Sequence, residues 1–177
     1  MTFLPTDPST ETKPCPHPCG RKLALAWSAT DGDVSKTTAM LKVAFATSDR
    51  VTVDQHFGAS VGFAIHAIDG ERARLVEVAE FPEESMDGNE SKLADKIAAL
   101  SGCAAVYCLA VGGSAVRQLL AAGVQPIRVD DEAGIETLLD GLRRAVREGG
   151  VVWVDRALKR DADTSRFDRM AEEGWQE

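Results

Sequence analysis

Several features that would place this chain in a membrane or nucleic-acid-binding class are missing from its 177 residues. No stretch approaches the roughly 20 consecutive apolar residues that a membrane-spanning helix needs. Positive charge is scarce as well, because 20 Lys and Arg stand against 28 Asp and Glu, for a formal net charge of −8. This balance repels polyanions such as DNA and RNA. We therefore expect neither a membrane span nor a nucleic-acid partner.

Secretory features and a disulfide framework are also lacking. Residues 1–7 have neither the basic start nor the apolar run of a secretory signal, so we expect a cytoplasmic protein. The cysteines form two pairs, Cys15 with Cys19 and Cys103 with Cys108. In a reducing compartment such cysteines are thiols or metal ligands. The first pair flanks His17 and could bind zinc or a cluster, but its spacing is not that of a zinc finger.

Three regions follow from composition. Residues 1–39 hold five prolines before position 19 and little apolar sequence, which predicts a mostly disordered, Pro-rich tail. Residues 40–149 carry the periodic apolar pattern of a single α/β domain. Residues 150–177 form a less regular C-terminal extension, in which residues 164–173 could form a short helix.

The domain is predicted to follow the order β-β-β-α-β-α-β-α. Predicted strands cover residues 41–47, 61–68, 72–81, 104–111 and 124–129, and predicted helices cover the segment between Asn89 and Gly102, residues 114–122 and residues 131–148. Three antiparallel strands followed by two strands reached through right-handed crossovers give a mixed five-stranded sheet with flanking helices. This α/β arrangement resembles the ribonuclease-H-like fold.

A candidate binding mouth lies where ligands bind in open α/β sheets, beyond the carboxyl ends of the parallel strands. One side is the long polar loop of residues 48–60, which contains His56, and an imidazole can ligate a borderline or soft metal. The other side is the turn of residues 111–114, which leads into a helix. The N-terminus of a helix favours anions. The combination suits an anionic metal cluster.

The other residues that could act as ligands also have ordinary structural explanations. Cys108 could be a second ligand, whereas Cys103, five residues earlier, is predicted to point to the opposite face of the strand and to lie away from the mouth. Burial as small apolar residues is the favoured explanation of both cysteines. His66 is expected to be an ordinary sheet-face side chain.

A metal-dependent hydrolase is a third possible function class. Asp49 and Asp54 form a carboxylate pair in the loop, but the inner strands lack the several acidic residues that such enzymes require. Loop solvation or an N-cap role explains both carboxylates better. We expect that the chain is not an enzyme.

Three blocks of sequence, in order, resemble the dinitrogenase iron–molybdenum-cofactor-binding family. Val-Asp-Gln-His-Phe-Gly at 53–58 follows a Val-Ala-Phe-Ala strand, and the second block runs from Cys103 to Pro126 through Gly-Gly-Ser-Ala-Val-Arg-Gln-Leu-Leu. The third, Arg-Phe-Asp-Arg-Met-Ala-Glu-Glu-Gly-Trp at 166–175, is similar to the ending of one branch of the family. The resemblance covers about residues 41–175.

The resemblance implies a carrier in nitrogenase cofactor assembly. Such proteins bind the iron–sulfur precursor made by NifB, pass it to the NifE–NifN scaffold, and can also hold the mature iron–molybdenum cofactor. With the mouth described above, it implies His56 as metal ligand and a cofactor-binding set of His56, Cys108, Gly112, Gly113, Ser114 and Arg50. The alternative is a non-catalytic regulator or chaperone of nitrogenase maturation that acts by protein contact without a cluster.

Overall fold

A computed structural model describes residues 21–24, 40–81 and 90–172 of the chain. The strands of this part are β1 (Arg21–Ala24), β2 (Leu41–Ala46), β3 (Thr52–Val53), β4 (Gly62–Ile68), β5 (Ala73–Glu80), β6 (Ala105–Cys108), β7 (Gln125–Arg128) and β8 (Ala133–Gly134). Its helices are α1 (Glu90–Ala99), α2 (Gly113–Ala121), α3 (Ile135–Glu148) and α4 (Val152–Glu172).

One mixed sheet organises the fold, with the strand order β1-β5-β4-β2-β6-β7. β6 runs parallel to β2 and β7, whereas β2, β4, β5 and β1 pair antiparallel. The prediction of an α/β fold built on a mixed sheet is confirmed for all five predicted strands. β1 adds an edge strand within the segment predicted as a tail, and the rest of residues 1–39 lies outside the described residues.

The β4–β5 hairpin turns at Asp69 and Gly70. Gly70 adopts φ +87°, a left-handed conformation that glycine takes without a Cβ penalty. The Asp69 carboxylate accepts backbone hydrogen bonds from Glu71 and Arg72 at 3.0 and 2.7 Å. This local network closes the turn and sets the register of the two strands.

The central strand β2 is buried on both faces because its side chains alternate between two apolar layers. Val43 and Phe45 pack into a layer that is covered by α3 and α4. Ala44 and Ala46 pack into a second layer, covered by α1 and α2, together with Leu100. An uninterrupted apolar run is what a strand inside such a three-layer arrangement requires.

The C-terminal extension contains more helix than the sequence predicted. α4 begins at Val152, well before the short helix expected at residues 164–173. Val154 is fully buried and Ala157 is 6% exposed, and both belong to the layer that includes Phe45. The first turns of α4 are therefore part of the core of the domain.

Among the helices of residues 90–172, none combines the length and apolar character needed to cross a membrane.

Candidate functional site

His56 is held at the carboxyl end of the parallel strands by its two neighbours. The backbone N–H of Phe57 donates to the carbonyl of Ala110 at 2.8 Å, and the N–H of Leu109 donates to the carbonyl of Gln55 at 3.0 Å. These bonds join the loop of residues 48–60, the His56 loop, to the chain just beyond β6. The His56 side chain itself is exposed. The structure thus fixes the backbone of His56 and leaves its imidazole open to a ligand.

Packing beneath the loop reinforces these hydrogen bonds. Val53, in the short strand β3, and Phe57 are both fully buried within the His56 loop. The Phe57 ring stacks on Phe63 of β4 with the ring centroids 5.5 Å apart. Thr52 and Val53 also pair with β8, which ties the loop to the segment before α3. The loop is therefore an ordered part of the domain.

Asp49 shapes the start of the His56 loop. Its carboxylate accepts backbone hydrogen bonds from Val51 and Thr52, both at 2.8 Å, and a hydroxyl hydrogen bond from Thr47 at 3.0 Å. These donors stabilise the charged form and lower the pKa of Asp49 to about 2, with the Thr52 amide as the largest cause. Asp49 acts here as the acceptor that forms a turn, and not as the cap of a helix, because the strand β3 follows it.

Asp54 has a similar local role. Its carboxylate accepts hydrogen bonds from the backbone N–H and from the hydroxyl of Ser48. In the part of the chain that the structure describes, no three His, Cys, Asp or Glu side chains come together in a way that could hold a metal ion. Both loop carboxylates are thus engaged in holding the loop.

The predicted glycine turn opens directly into α2. Gly112 precedes the helix in an extended conformation, and no side chain caps the helix. A Cβ added to Gly112 or Gly113 would meet no atom within 4 Å, so the space in front of this helix start is open. Ser114 is exposed and accepts a hydrogen bond from Gln118 at 3.3 Å. Together with His56, this turn forms the mouth: the His56 loop and residues 111–114.

Arg50, near the start of the His56 loop, contacts β5. Its guanidinium pairs with Glu80 of β5 at 2.6 Å, and both side chains are about half exposed. The pair borders a cavity of about 400 Å³ that is also lined by Phe63 and Phe81. Arg50 also has φ +65°, a left-handed conformation that is uncommon for a residue with a side chain. Its predicted contribution to anion binding remains a prediction, with Glu80 already neutralising its charge.

Cys108 lies at the carboxyl end of β6 but is fully buried. Burial raises the pKa of its thiol to about 11, against a smaller lowering by the Phe57 backbone amide. Because a thiolate is the metal-binding form, this environment disfavours ligation. Its predicted role as a ligand remains a prediction and would require the His56 loop to move.

The predicted opposite orientation of Cys103 and Cys108 is wrong. Both cysteines pack into the layer covered by α1 and α2. β6 begins only at Ala105, so strand alternation does not extend back to Cys103 and does not fix its direction. Cys103 remains at the starting end of the strand, where it borders a cavity with Met40.

His66 is a sheet-face side chain of β4, as expected. Its ring meets Phe45 edge-on at 5.4 Å, in the layer covered by α3 and α4, and Nδ1 is buried without a hydrogen-bond partner. Burial lowers the pKa of His66 below its ordinary value, with a smaller opposing effect of the Ala64 backbone and Glu136. His66 is thus a partly buried neutral imidazole in the sheet, whereas His56 is presented at the mouth. The motif of Cys15, His17 and Cys19 lies outside the described residues.

Lys96 was not singled out from the sequence. This lysine of α1 is 8% exposed, and its ammonium donates a hydrogen bond to the carbonyl of Gly58 in the His56 loop. The only signal available in the sequence was its position beside Leu93 and Ile97 on the apolar side of the helix.

Comparison with known proteins decides the family. A family model described as dinitrogenase iron–molybdenum cofactor matches residues 40–145. The chain belongs to this family. The resemblance inferred from the three sequence blocks is therefore confirmed, and it covers the whole mouth.

Relatives in this family match over most of the chain. Protein NifX of Azotobacter vinelandii is 52% identical over 89% of this chain and 97% of its own length. Protein NifX of Klebsiella pneumoniae is 35% identical over 75% of this chain and 82% of its own length. The FeMo cofactor biosynthesis protein NifB of Frankia alni is 35% identical over half of this chain, which corresponds to 18% of NifB.

Proposed function

We propose that this protein is a cytoplasmic, non-catalytic carrier in iron–molybdenum cofactor biosynthesis. Its cargo is the iron–sulfur precursor made by NifB, it can also hold the mature cofactor, and it passes the precursor to the NifE–NifN scaffold. Membership of the family and the NifX and NifB relatives support a role in this biosynthesis. The observation that carries the proposal is the exposed His56, fixed by backbone bonds on either side beside an open helix start.

The chemistry of the mouth fits an anionic metal cluster. An imidazole nitrogen of His56 can ligate iron, and the first turn of α2 offers backbone N–H groups and the positive end of a helix dipole. The open space at Gly112 and Gly113 lets a bulky cargo approach these groups. A site with one exposed ligand holds the cluster less firmly than a full ligand set, which suits a protein that must release its cargo.

Binding of the precursor tests this proposal. The protein is mixed anaerobically with isolated precursor and passed through a gel-filtration column, and iron in the protein peak is measured together with its visible spectrum. Wild type is expected to emerge brown and iron-loaded, and His56→Ala to lose most of the iron. His66→Ala is the matched control, since it removes an imidazole away from the mouth. A colourless wild type, or equal losses in both variants, would refute the assignment.

A second candidate is a regulator or chaperone of nitrogenase maturation that needs no cluster. It is favoured by the lack, among the described residues, of a converging set of three metal-binding side chains. A pull-down with NifE–NifN separates the two candidates. If the protein is a carrier, wild type and His56→Ala are expected to differ in NifE–NifN binding when precursor is present. Equal binding with and without precursor would support the regulator instead.

We also propose that the fold is ribonuclease-H-like. The central order β5-β4-β2-β6-β7, with an antiparallel meander followed by two parallel strands, supports this arrangement. The additional pair β3–β8 and the edge strand β1 are elaborations on it. An experimental structure that shows another order of these five strands would contradict the assignment.

A further inference from the structure

Lys96 is an unusual residue for its position. Its side chain is 8% exposed and lies among the apolar residues that α1 turns toward the sheet. Lysine is almost never buried to this degree unless its charge is compensated. Burial lowers the pKa of Lys96, and the positive charge of Lys92 lowers it further. An apolar side chain would fill this place at a smaller cost.

The contacts of the ammonium group point to the His56 loop. Nζ donates to the carbonyl of Gly58, a residue 38 positions away in the sequence. It also lies 5.7 Å from the centroid of the Phe81 ring, a cation–π distance. Across the described ranges, no carboxylate pairs with this group. Among the described residues, the loop carbonyl is thus the main polar partner of this buried charge.

Gly58 is close to both anchors of the loop. Phe57, the preceding residue, donates to Ala110 and fills the core beneath His56. A hydrogen bond from Lys96 to Gly58 therefore fixes the far end of the segment 55–58, whose near end is fixed by Gln55. Among the described contacts, this is the only side-chain hydrogen bond between α1 and the part of the loop that leads to Ser60.

We propose that Lys96 is a positioning residue for cargo capture, which holds the His56 loop against α1 so that the imidazole stays at the mouth. The inference rests on the proposed carrier function for its cargo, but the holding of the loop can be measured without cargo. Lys96 acts through Gly58 and is not itself a ligand.

The test compares Lys96→Met with wild type by site-resolved amide hydrogen exchange. Methionine keeps the length and volume of the stem and removes the charged donor. The amides of Phe57 and Leu109 are expected to exchange about tenfold faster or more, because a hydrogen bond from a charged group is lost. Global stability in urea is expected to stay the same or rise, since a buried charge is removed.

Faster exchange of the loop amides without a loss of global stability would distinguish a positioning role of Lys96 from a general structural role. If the loop amides keep their wild-type rates, or speed up only as far as global stability falls, the inference is wrong. Lys92→Met is the matched control, because it removes one positive charge from the same helix. It is expected to leave Phe57 and Leu109 at wild-type rates, and an equal acceleration would attribute the effect to charge rather than to the contact with Gly58.

Cargo binding supplies the second arm. In the anaerobic gel-filtration assay, Lys96→Met is expected to retain less iron than wild type and than Lys92→Met. If wild type binds iron and Lys96→Met binds it equally well, the inference fails and the carrier function stands. If wild type takes up no iron, the carrier function fails and takes the cargo role of Lys96 with it, while the exchange data still decide whether Lys96 holds the loop.

Discussion

Replacement of Phe57 by alanine tests whether packing, as well as hydrogen bonding, fixes the His56 loop. The Phe57 ring is fully buried and stacks on Phe63 at 5.5 Å. Truncation of a buried Phe costs about 3–5 kcal/mol, and a stacked aromatic pair contributes about 0.5–1.5 kcal/mol beyond its buried area. Because the truncation cost already includes the lost ring contacts, we expect Phe57→Ala to lower the free energy of unfolding by about 3–5 kcal/mol, measured by urea denaturation.

Phe45→Ala provides a matched control. Phe45 is also fully buried and stacks on Tyr107 at 5.3 Å, but it packs in the layer covered by α3 and α4. Both variants should lose similar stability, so differences in iron retention at equal folded fraction report on the loop alone. Phe57→Ala is expected to retain less iron, because its cavity opens directly beneath His56.

Two results would refute this reasoning. A loss below about 1 kcal/mol for Phe57→Ala, beside a loss of several kcal/mol for Phe45→Ala, would show that the loop is not packed as described. Equal iron retention by the two variants would show that cargo binding does not depend on the position of the loop.

Three further predictions concern the mouth and the sheet. Gly113→Val should change the free energy of unfolding by no more than about 0.5 kcal/mol, since a Cβ there meets no atom within 4 Å. It should reduce iron retention, because the new side chain fills the space before α2. The control is Gly141→Val, at an equally open site on α3. Cys108→Ala should lower stability by about 1 kcal/mol and leave iron retention unchanged, because a neutral buried thiol is a poor ligand. Wild type should lose stability as the pH falls below 6.5, because His66 takes up a proton there in the unfolded chain, whereas burial makes it harder to protonate in the folded chain. His66→Leu should lose less stability than wild type between pH 7.5 and 5.5, measured by urea denaturation at each pH.

Each of these predictions has a contrary outcome. Equal iron loss in Gly113→Val and Gly141→Val would show that the glycine turn does not take part in cargo binding. Iron loss in Cys108→Ala as large as in His56→Ala would make the thiol a ligand after all. If His66→Leu shows the same pH dependence as wild type, another group is responsible for it. Asp49 is not that group, because its pKa of about 2 in the folded chain and its ordinary pKa of 3.8 both lie below this range.

The strands and the position of the mouth were accessible from the sequence because they depend on local pattern. The run Leu41–Ala46 is apolar at almost every position, which a strand buried on both faces requires. The loop after it is polar and long, and its location beyond a parallel strand follows from topology. His56 could therefore be assigned to the mouth before any contact was known.

The contacts that hold the mouth together were not accessible, because they join segments that are distant in the sequence. Nothing in the sequence near Gln55 or Phe57 shows that their backbone groups pair with Leu109 and Ala110. Lys96 looks like one more charge on an amphipathic helix, and its reach to Gly58 depends on how α1 packs. Likewise, the direction of Cys103 depends on where β6 begins.

The burial of Val154 has a practical consequence for work with fragments. The family match ends at residue 145, and a shortened chain ending near residue 149 would still contain every residue of the mouth. It would also lack Val154 and Ala157, so the apolar layer around Phe45 would lose part of its cover. Such a fragment would capture proteins that bind to this exposed apolar surface. The search for true partners therefore requires a chain that extends through the first turns of α4.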